Sequence, residues 1–295
     1  ASPACGDTAT PPATPSKLPL QLTALLAHFL FYAAFNVSNK VLLSRYMFPL
    51  RIAFIQCFIC SCFLIICRWR GFLAFSPFKA HVAIAWTPVV LFFVLQLIAS
   101  QFCLDGLPLP IFLVCKCFSG IIIFLGEKCF FNHTLTPLGV LVGLVLMAVG
   151  AVAALLSLGI AFADKFLSVM AFSVLSAAYI LALKVTTRNV KVSDVDTMYY
   201  NFLLALPLCF VALLVGDLQF NQFNMETVGR DTLAFLLVNG ASTFFVVIAS
   251  FWSIKATSGF AYSLSSSVYR LILSVIADTF LPDNGINTDA WMGIL

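Results

Sequence analysis

The sequence predicts an all-α membrane protein of about ten transmembrane helices, arranged as two inverted five-helix repeats with the last helix truncated. Three observations lead there. Of 295 residues, 62% are hydrophobic and only 9% charged, where a soluble domain is about a quarter charged. The mean hydropathy is +1.05, and many of the 31 Phe lie inside apolar runs of about twenty residues, too many to hide in one soluble core. A hydrocarbon core about 30 Å thick, crossed at about 1.5 Å per helical residue, takes about 25 to 30 residues per span and turn, so nine or ten spans fit the chain.

Taken in order, residues 1–17 read as a disordered N-terminal tail of a longer chain, rich in Ala, Pro and Thr and lacking the apolar stretch of a signal peptide. Charged and turn-forming punctuation then bounds apolar spans at 18–43, 50–67, 82–103, 108–125 and 136–157, the first repeat (18–157). Spans at 165–184, 195–215, 231–252 and 257–280, with a tenth starting near 288 and cut off at Leu295, make the second repeat (158–295). An odd number of spans per half turns the halves upside down relative to each other, as in many secondary transporters.

Positive charge orients the chain. Lys17, Arg68, Arg70, Lys79, Lys128, Lys184, Arg188, Lys191 and Lys255 fall on the side of the N-terminus, against Arg45, Arg51, Lys165 and Arg230 opposite. That excess predicts a cytosolic N-terminus. The sequon Asn132-His133-Thr134 then lies in a cytosolic loop, and Asn36-Val37-Ser38 lies within a span, so neither should be glycosylated. Nine of the ten cysteines sit in or at the edge of apolar runs, where thiols act as small hydrophobes rather than as a disulfide framework. Cys57, Cys60, Cys62 and Cys67 have no His or carboxylate nearby to complete a metal site. Gly139 and Gly143 form a G-x-x-x-G, which fits internal helix packing first and a homodimer face second.

Three cations fall within spans: Lys40, Lys116 and Arg270. A cation at the bilayer centre costs about 2.5 to 3.5 kcal/mol on insertion scales, so such groups face a partner or a wet cavity. The nearest acids, Asp105, Glu127 and Asp278, lie toward span ends, which leaves the anion to be the ligand. Lys116 and Arg270 occupy the fourth span of each half, so an inverted repeat brings them to one central site. A forked guanidinium and a point-charge ammonium suit a phosphate or diphosphate. Lys40, nearer a span end, suits backbone carbonyls or an interface equally well. Tyr262, Ser266, Ser267 and Tyr269 around Arg270, and Tyr200 and Asn201 in span 7, add hydroxyls, rings and an amide that could meet a sugar or base. Interface preference is the rival reading for the tyrosines, and a bond across helices the rival for Asn201. No H-E-x-x-H, G-x-S-x-G or Walker A loop is present, so the chain is not read as an enzyme, needs no cofactor, and any transport runs on a gradient or exchange.

In order along the chain, Asn36-Val37-Ser38-Asn39-Lys40 with Phe48-Pro49, Pro110-Ile111-Phe112 with Lys116 and Gly126-Glu127, Met198-Tyr199-Tyr200-Asn201 with Leu206-Pro207, and Tyr262-Ser263 through Arg270 form one series. The series resembles the nucleotide-sugar transporter branch of the drug/metabolite transporter superfamily, from about residue 30 onward. The third motif is similar to the F-Y-N-N of Golgi GDP-mannose transporters and the F-Y-N of UDP-sugar members. The resemblance implies ten helices, cytosolic termini, a Golgi or endoplasmic-reticulum membrane, and antiport of a cytosolic nucleotide sugar, GDP- or UDP-linked, for a lumenal nucleoside monophosphate. It also implies pocket residues: Phe112, Lys116, Asn201, Tyr262, Ser266, Ser267 and Arg270, with Lys116 and Arg270 on phosphate. Where the family reads G-A-L-N-K this chain has Ser266-Ser267-Val268-Tyr269-Arg270, and the second Asn of F-Y-N-N is Phe202, which argues against guanine selectivity. The alternatives are a phosphorylated-metabolite/phosphate exchanger and a non-transporting membrane scaffold or receptor of the same fold. The partners expected are the lipid bilayer and these ligands, with no nucleic acid.

Overall fold

The computed structural model describes residues 18–46, 48–74, 76–131, 138–156, 162–190, 192–220, 230–256 and 259–280. All the regular structure among them is helical: α1 (Leu18–Tyr46), α2 (Pro49–Trp69), α3 (Ala80–Gly106), α4 (Leu109–Cys115), α5 (Cys117–Phe131), α6 (Leu138–Leu156), α7 (Phe162–Asn189), α8 (Asp194–Phe220), α9 (Arg230–Ala256) and α10 (Gly259–Phe280). Seven described segments are long and apolar enough to cross a membrane, among them Leu109–Gly126, which joins α4 to α5, while Val268–Ala277 in α10 is a shorter apolar stretch. The N-terminal tail, the Asn132 sequon and the tenth span near 288 lie outside the described residues.

Local chemistry sets the helix ends. Proline opens α2 at Pro49, where its missing N–H costs nothing. Gly71, at φ +75°, closes that helix. Its N–H donates to the Arg68 carbonyl at 3.0 Å and the Phe72 N–H to the Cys67 carbonyl at 2.9 Å, the paired bonds that satisfy a helix C-terminus when one residue turns left-handed. Ahead of α8, the Ser193 hydroxyl accepts the Asp196 N–H at 3.1 Å, a side-chain N-cap. The Asp196 carboxylate in turn accepts the Ser76 N–H at 2.8 Å and hydroxyl at 3.0 Å, pinning the α2–α3 connection onto α8.

One expected span is broken. At Lys116 a turn separates α4 from α5 (φ −57°, ψ −18°), although the Lys116 N–H still reaches the Phe112 carbonyl. Every residue of α4 is buried. The most extensive packing pairs α1 with α9, α3 with α7 and α2 with α8; α10 packs on α4, α9 also on α2, and α8 also on α3. Counting α4 and α5 as one span, replacing each span by the one five places away turns α1–α9 into α7–α3 and α2–α9 into α8–α3. It maps α2–α8 and α4–α10 onto themselves. Two apolar clusters result, one around α4 with Leu104, Phe172 and Leu273, the other around Trp86 with Cys57, Tyr200 and Cys209.

At Gly143 the packing differs from expectation. A Cβ there would meet no atom within 4 Å, so that glycine admits no close internal helix. Close approach occurs instead at Gly240, where a Cβ would lie 2.7 Å from the Cβ of Ile59, so α9 can rest on α2 only without a side chain there.

Candidate functional site

The break in the fourth span places Lys116 at the inner end of α4, facing α1. Its ammonium lies 3.4 Å from the Asn36 Oδ1 and 3.5 Å from the Tyr32 hydroxyl. It also stands 4.5 Å from the centre of the Phe112 ring and 5.4 Å from that of Tyr32, distances at which a ring face attracts a cation. Arg270, on α10, lies close enough to the same Tyr32 hydroxyl to act on it electrostatically, and it acts on Lys116 through its charge. The groups acting electrostatically on Lys116 (Tyr32, Arg270 and Cys103) include no carboxylate. Two cations therefore stand near one neutral oxygen, beside a local distortion at Lys116 that keeps helical dihedrals and the bond to the Phe112 carbonyl.

The wall opposite comes from α1. His28, Tyr32 and Asn36 recur every four residues and so occupy one helix face. His28 and Asn36 are buried, and the His28 ring lies 5.8 Å from Tyr32 and 6.0 Å from Tyr269. Asn36 holds itself in place by donating from Nδ2 to the Tyr32 carbonyl at 2.7 Å. Ser274 donates to the Arg270 carbonyl of its own helix at 2.7 Å, and its Oγ lies 3.4 Å from the Pro110 carbonyl where α10 meets α4. None of His28, Tyr32 and Asn36 was expected at the site from sequence, although Asn36 opens the first motif of the series. A signal existed in the polar groups spaced by four on an otherwise apolar helix, but nothing local says which face of α1 meets Lys116.

Of the residues expected at the site, Lys116, Arg270, Phe112 and Tyr269 are brought together, with Ser266 buried one turn before Arg270. The side chains of Tyr262 and Ser267 lie outside the described residues. Three others sit elsewhere. The Lys40 ammonium donates to the carbonyls of Leu104 and Leu107, each at 2.9 Å, and so closes the C-terminal end of α3. Asn201 accepts from the Trp86 indole at 2.8 Å and donates to the Tyr179 hydroxyl at 3.0 Å, the cross-helix reading of that amide. The Tyr200 hydroxyl accepts the Lys79 N–H at 3.0 Å, and its ring packs near Phe78 and Trp86. Among the described residues no group of three His, Cys, Asp or Glu could hold a metal ion.

No protein-family model matches the chain. Curated proteins do. It is 28% identical over 284 residues to the GDP-mannose transporter of Phaeosphaeria nodorum, covering 88% of this chain and 74% of that one. To the GDP-mannose transporter of Botryotinia fuckeliana it is 27% identical over 282 residues, 85% of this chain and 71% of the other. The chain is thus similar over most of its length to proteins named GDP-mannose transporter. A third such transporter, from Kluyveromyces lactis, is 25% identical over 258 residues, 81% of this chain and 76% of its own. These nucleotide-sugar transporter relatives are named as carriers and not as enzymes, and with the apolar helices they make this an integral membrane protein.

Proposed function

We propose that the chain is a nucleotide-sugar antiporter that exchanges a cytosolic nucleotide sugar for a lumenal nucleoside monophosphate by alternating access, in a Golgi membrane with its N-terminus cytosolic. The observation that carries this is the convergence of Lys116 and Arg270 on the Tyr32 hydroxyl at the α4–α5 break. Phosphate oxygens there would meet a guanidinium able to fork two of them and an ammonium able to approach as a compact charge. The relatives named GDP-mannose transporter supply the substrate class.

The packing pattern supports two inverted halves, 18–157 and 158–295, because helix pairs exchange under a five-span shift as a two-fold axis in the membrane plane requires. Rocking of the halves would expose the site to each side in turn. Exchange rather than free passage follows if the ligand-free carrier, with two cations facing each other, crosses slowly.

The test is thermal stability of the detergent-purified protein against UMP, GMP, CMP, AMP, inorganic phosphate and the corresponding nucleotide sugars, followed by exchange in liposomes. A ligand that binds only the folded state raises the melting temperature by mass action. A shift with one nucleoside monophosphate, and counterflow of its sugar, is the expected result. A shift with inorganic phosphate alone would replace the reading by a phosphorylated-metabolite exchanger, and no shift with any ligand would replace it by a scaffold.

A further inference from the structure

Tyr32 sits between the two cations in a manner that a packing role leaves unexplained. Its hydroxyl oxygen accepts from the Lys116 ammonium at 3.5 Å, and the Arg270 guanidinium lies near enough to act on it through its charge. A phenol has two acceptor lone pairs and one O–H donor. With the ammonium donating to the oxygen and the guanidinium's charge beside it, the O–H is left to point away from the cations. Among the described residues no hydrogen bond donated by Tyr32 is present. Three donors of different kinds, ammonium, guanidinium and phenol, therefore meet at one point. The near neighbours on the remaining sides are the buried Asn36 and His28 and the ring of Phe112.

The neutrality of the phenol matters. A carboxylate in its place would cancel half of the cations' charge and repel an anion. The phenol oxygen instead separates two like charges and gives way when a stronger acceptor arrives, its own proton then turning to that acceptor. Charge-assisted hydrogen bonds of this kind are about twice as strong as neutral ones. Asn36 works alongside as a positioning residue, because its Oδ1 receives Lys116 while its Nδ2 bonds the Tyr32 carbonyl, fixing the ammonium relative to the phenol.

We infer that the Tyr32 hydroxyl is a third phosphate-binding group of this chain, donating its proton to a phosphate oxygen held by Lys116 and Arg270. The inference rests on the proposed transport reading and adds to it that α1, and not only the fourth span of each half, contacts the phosphate.

Pyrophosphate is the probe, since it carries phosphate without sugar or base. Its affinity, and that of the nucleoside monophosphate that stabilises the wild-type protein, is measured on the full chain for wild type, Tyr32→Phe and Tyr32→Glu. Tyr32→Phe keeps the ring and should leave the ligand-free melting temperature near that of wild type. It should weaken pyrophosphate and nucleoside monophosphate by the same factor, about tenfold or more, because both lose one hydrogen bond to a charged group. Tyr32→Glu should abolish binding of both. Equal pyrophosphate affinity in wild type and Tyr32→Phe, with only the nucleotide weakened, would overturn the inference and move Tyr32 to the sugar or base. Retained pyrophosphate binding by Tyr32→Glu would overturn it as well, and without needing Tyr32→Phe to fold. Failure of wild type to bind any phosphate compound would overturn the transport reading itself and this inference with it.

Discussion

Lys116 and Lys40 show how one residue type serves two ends in the same membrane protein. Lys116 is met by a phenol, an amide oxygen and a ring face, all neutral, so its charge remains available to an anion. Lys40 is met by two backbone carbonyls at the end of α3, where a cation complements the negative end of the helix dipole. The two should separate by experiment. Lys116→Ala is expected to weaken binding of the stabilising nucleoside monophosphate by about 10- to 100-fold, the worth of a hydrogen bond to a charged group, with the ligand-free fold retained. Lys40→Met should do the reverse, lowering ligand-free stability by about 1 kcal/mol with nucleotide affinity within about twofold of wild type. An affinity loss for Lys40→Met as large as that for Lys116→Ala would return Lys40 to the binding site.

Among the elements, buried amides join helices that hydropathy alone cannot pair. On one side Gln56 of α2 donates to Asn39 of α1 at 3.1 Å and to Asn239 of α9 at 2.5 Å. It also accepts from Gln101 of α3 at 3.0 Å. On the other, Asn201 of α8 joins Trp86 of α3 to Tyr179 of α7. The five-span shift carries α1, α2 and α9 onto α7, α8 and α3, so the second knot uses the counterparts of three of the first knot's four helices. Asn201→Leu would leave the buried Trp86 N–H without its acceptor and the Tyr179 hydroxyl oxygen without its donor, at about 1–3 kcal/mol for each such group. The expected result is a clear fall in ligand-free melting temperature with no selective loss of one base. An unchanged melting temperature combined with loss of one nucleotide would place Asn201 at the base instead. Gly71→Ala, at the left-handed end of α2, should cost about 1–2 kcal/mol, read from the same melting curves.

Over the whole molecule, the proposed orientation puts the Asn132 sequon on the cytosolic side. The protein expressed in a glycosylating host should therefore show no mobility change on glycosidase treatment, whereas a sequon engineered between α3 and α4 should be modified. Modification of Asn132 itself would invert the orientation and with it the direction assigned to each substrate.

Composition and hydropathy were enough to read the membrane class, an all-helical chain in which seven described segments are long and apolar enough to cross a membrane, and two cations within apolar helices that the fold brings near each other. These are properties of runs of residues, because burying a charge or exposing an apolar run has a cost set by local composition. The tertiary structure decided which polar groups meet those cations. Tyr32 and Asn36 line the site while Asn201 and Tyr200 are engaged between helices, although all four are polar groups within apolar spans. It also decided that the fourth span breaks at Lys116, that Lys40 closes α3, and that Gly240 rather than Gly143 is the point of close approach. In each case a partner distant in the chain satisfies a hydrogen bond or fills a gap, and a helix's own sequence does not state which of its faces that partner will meet.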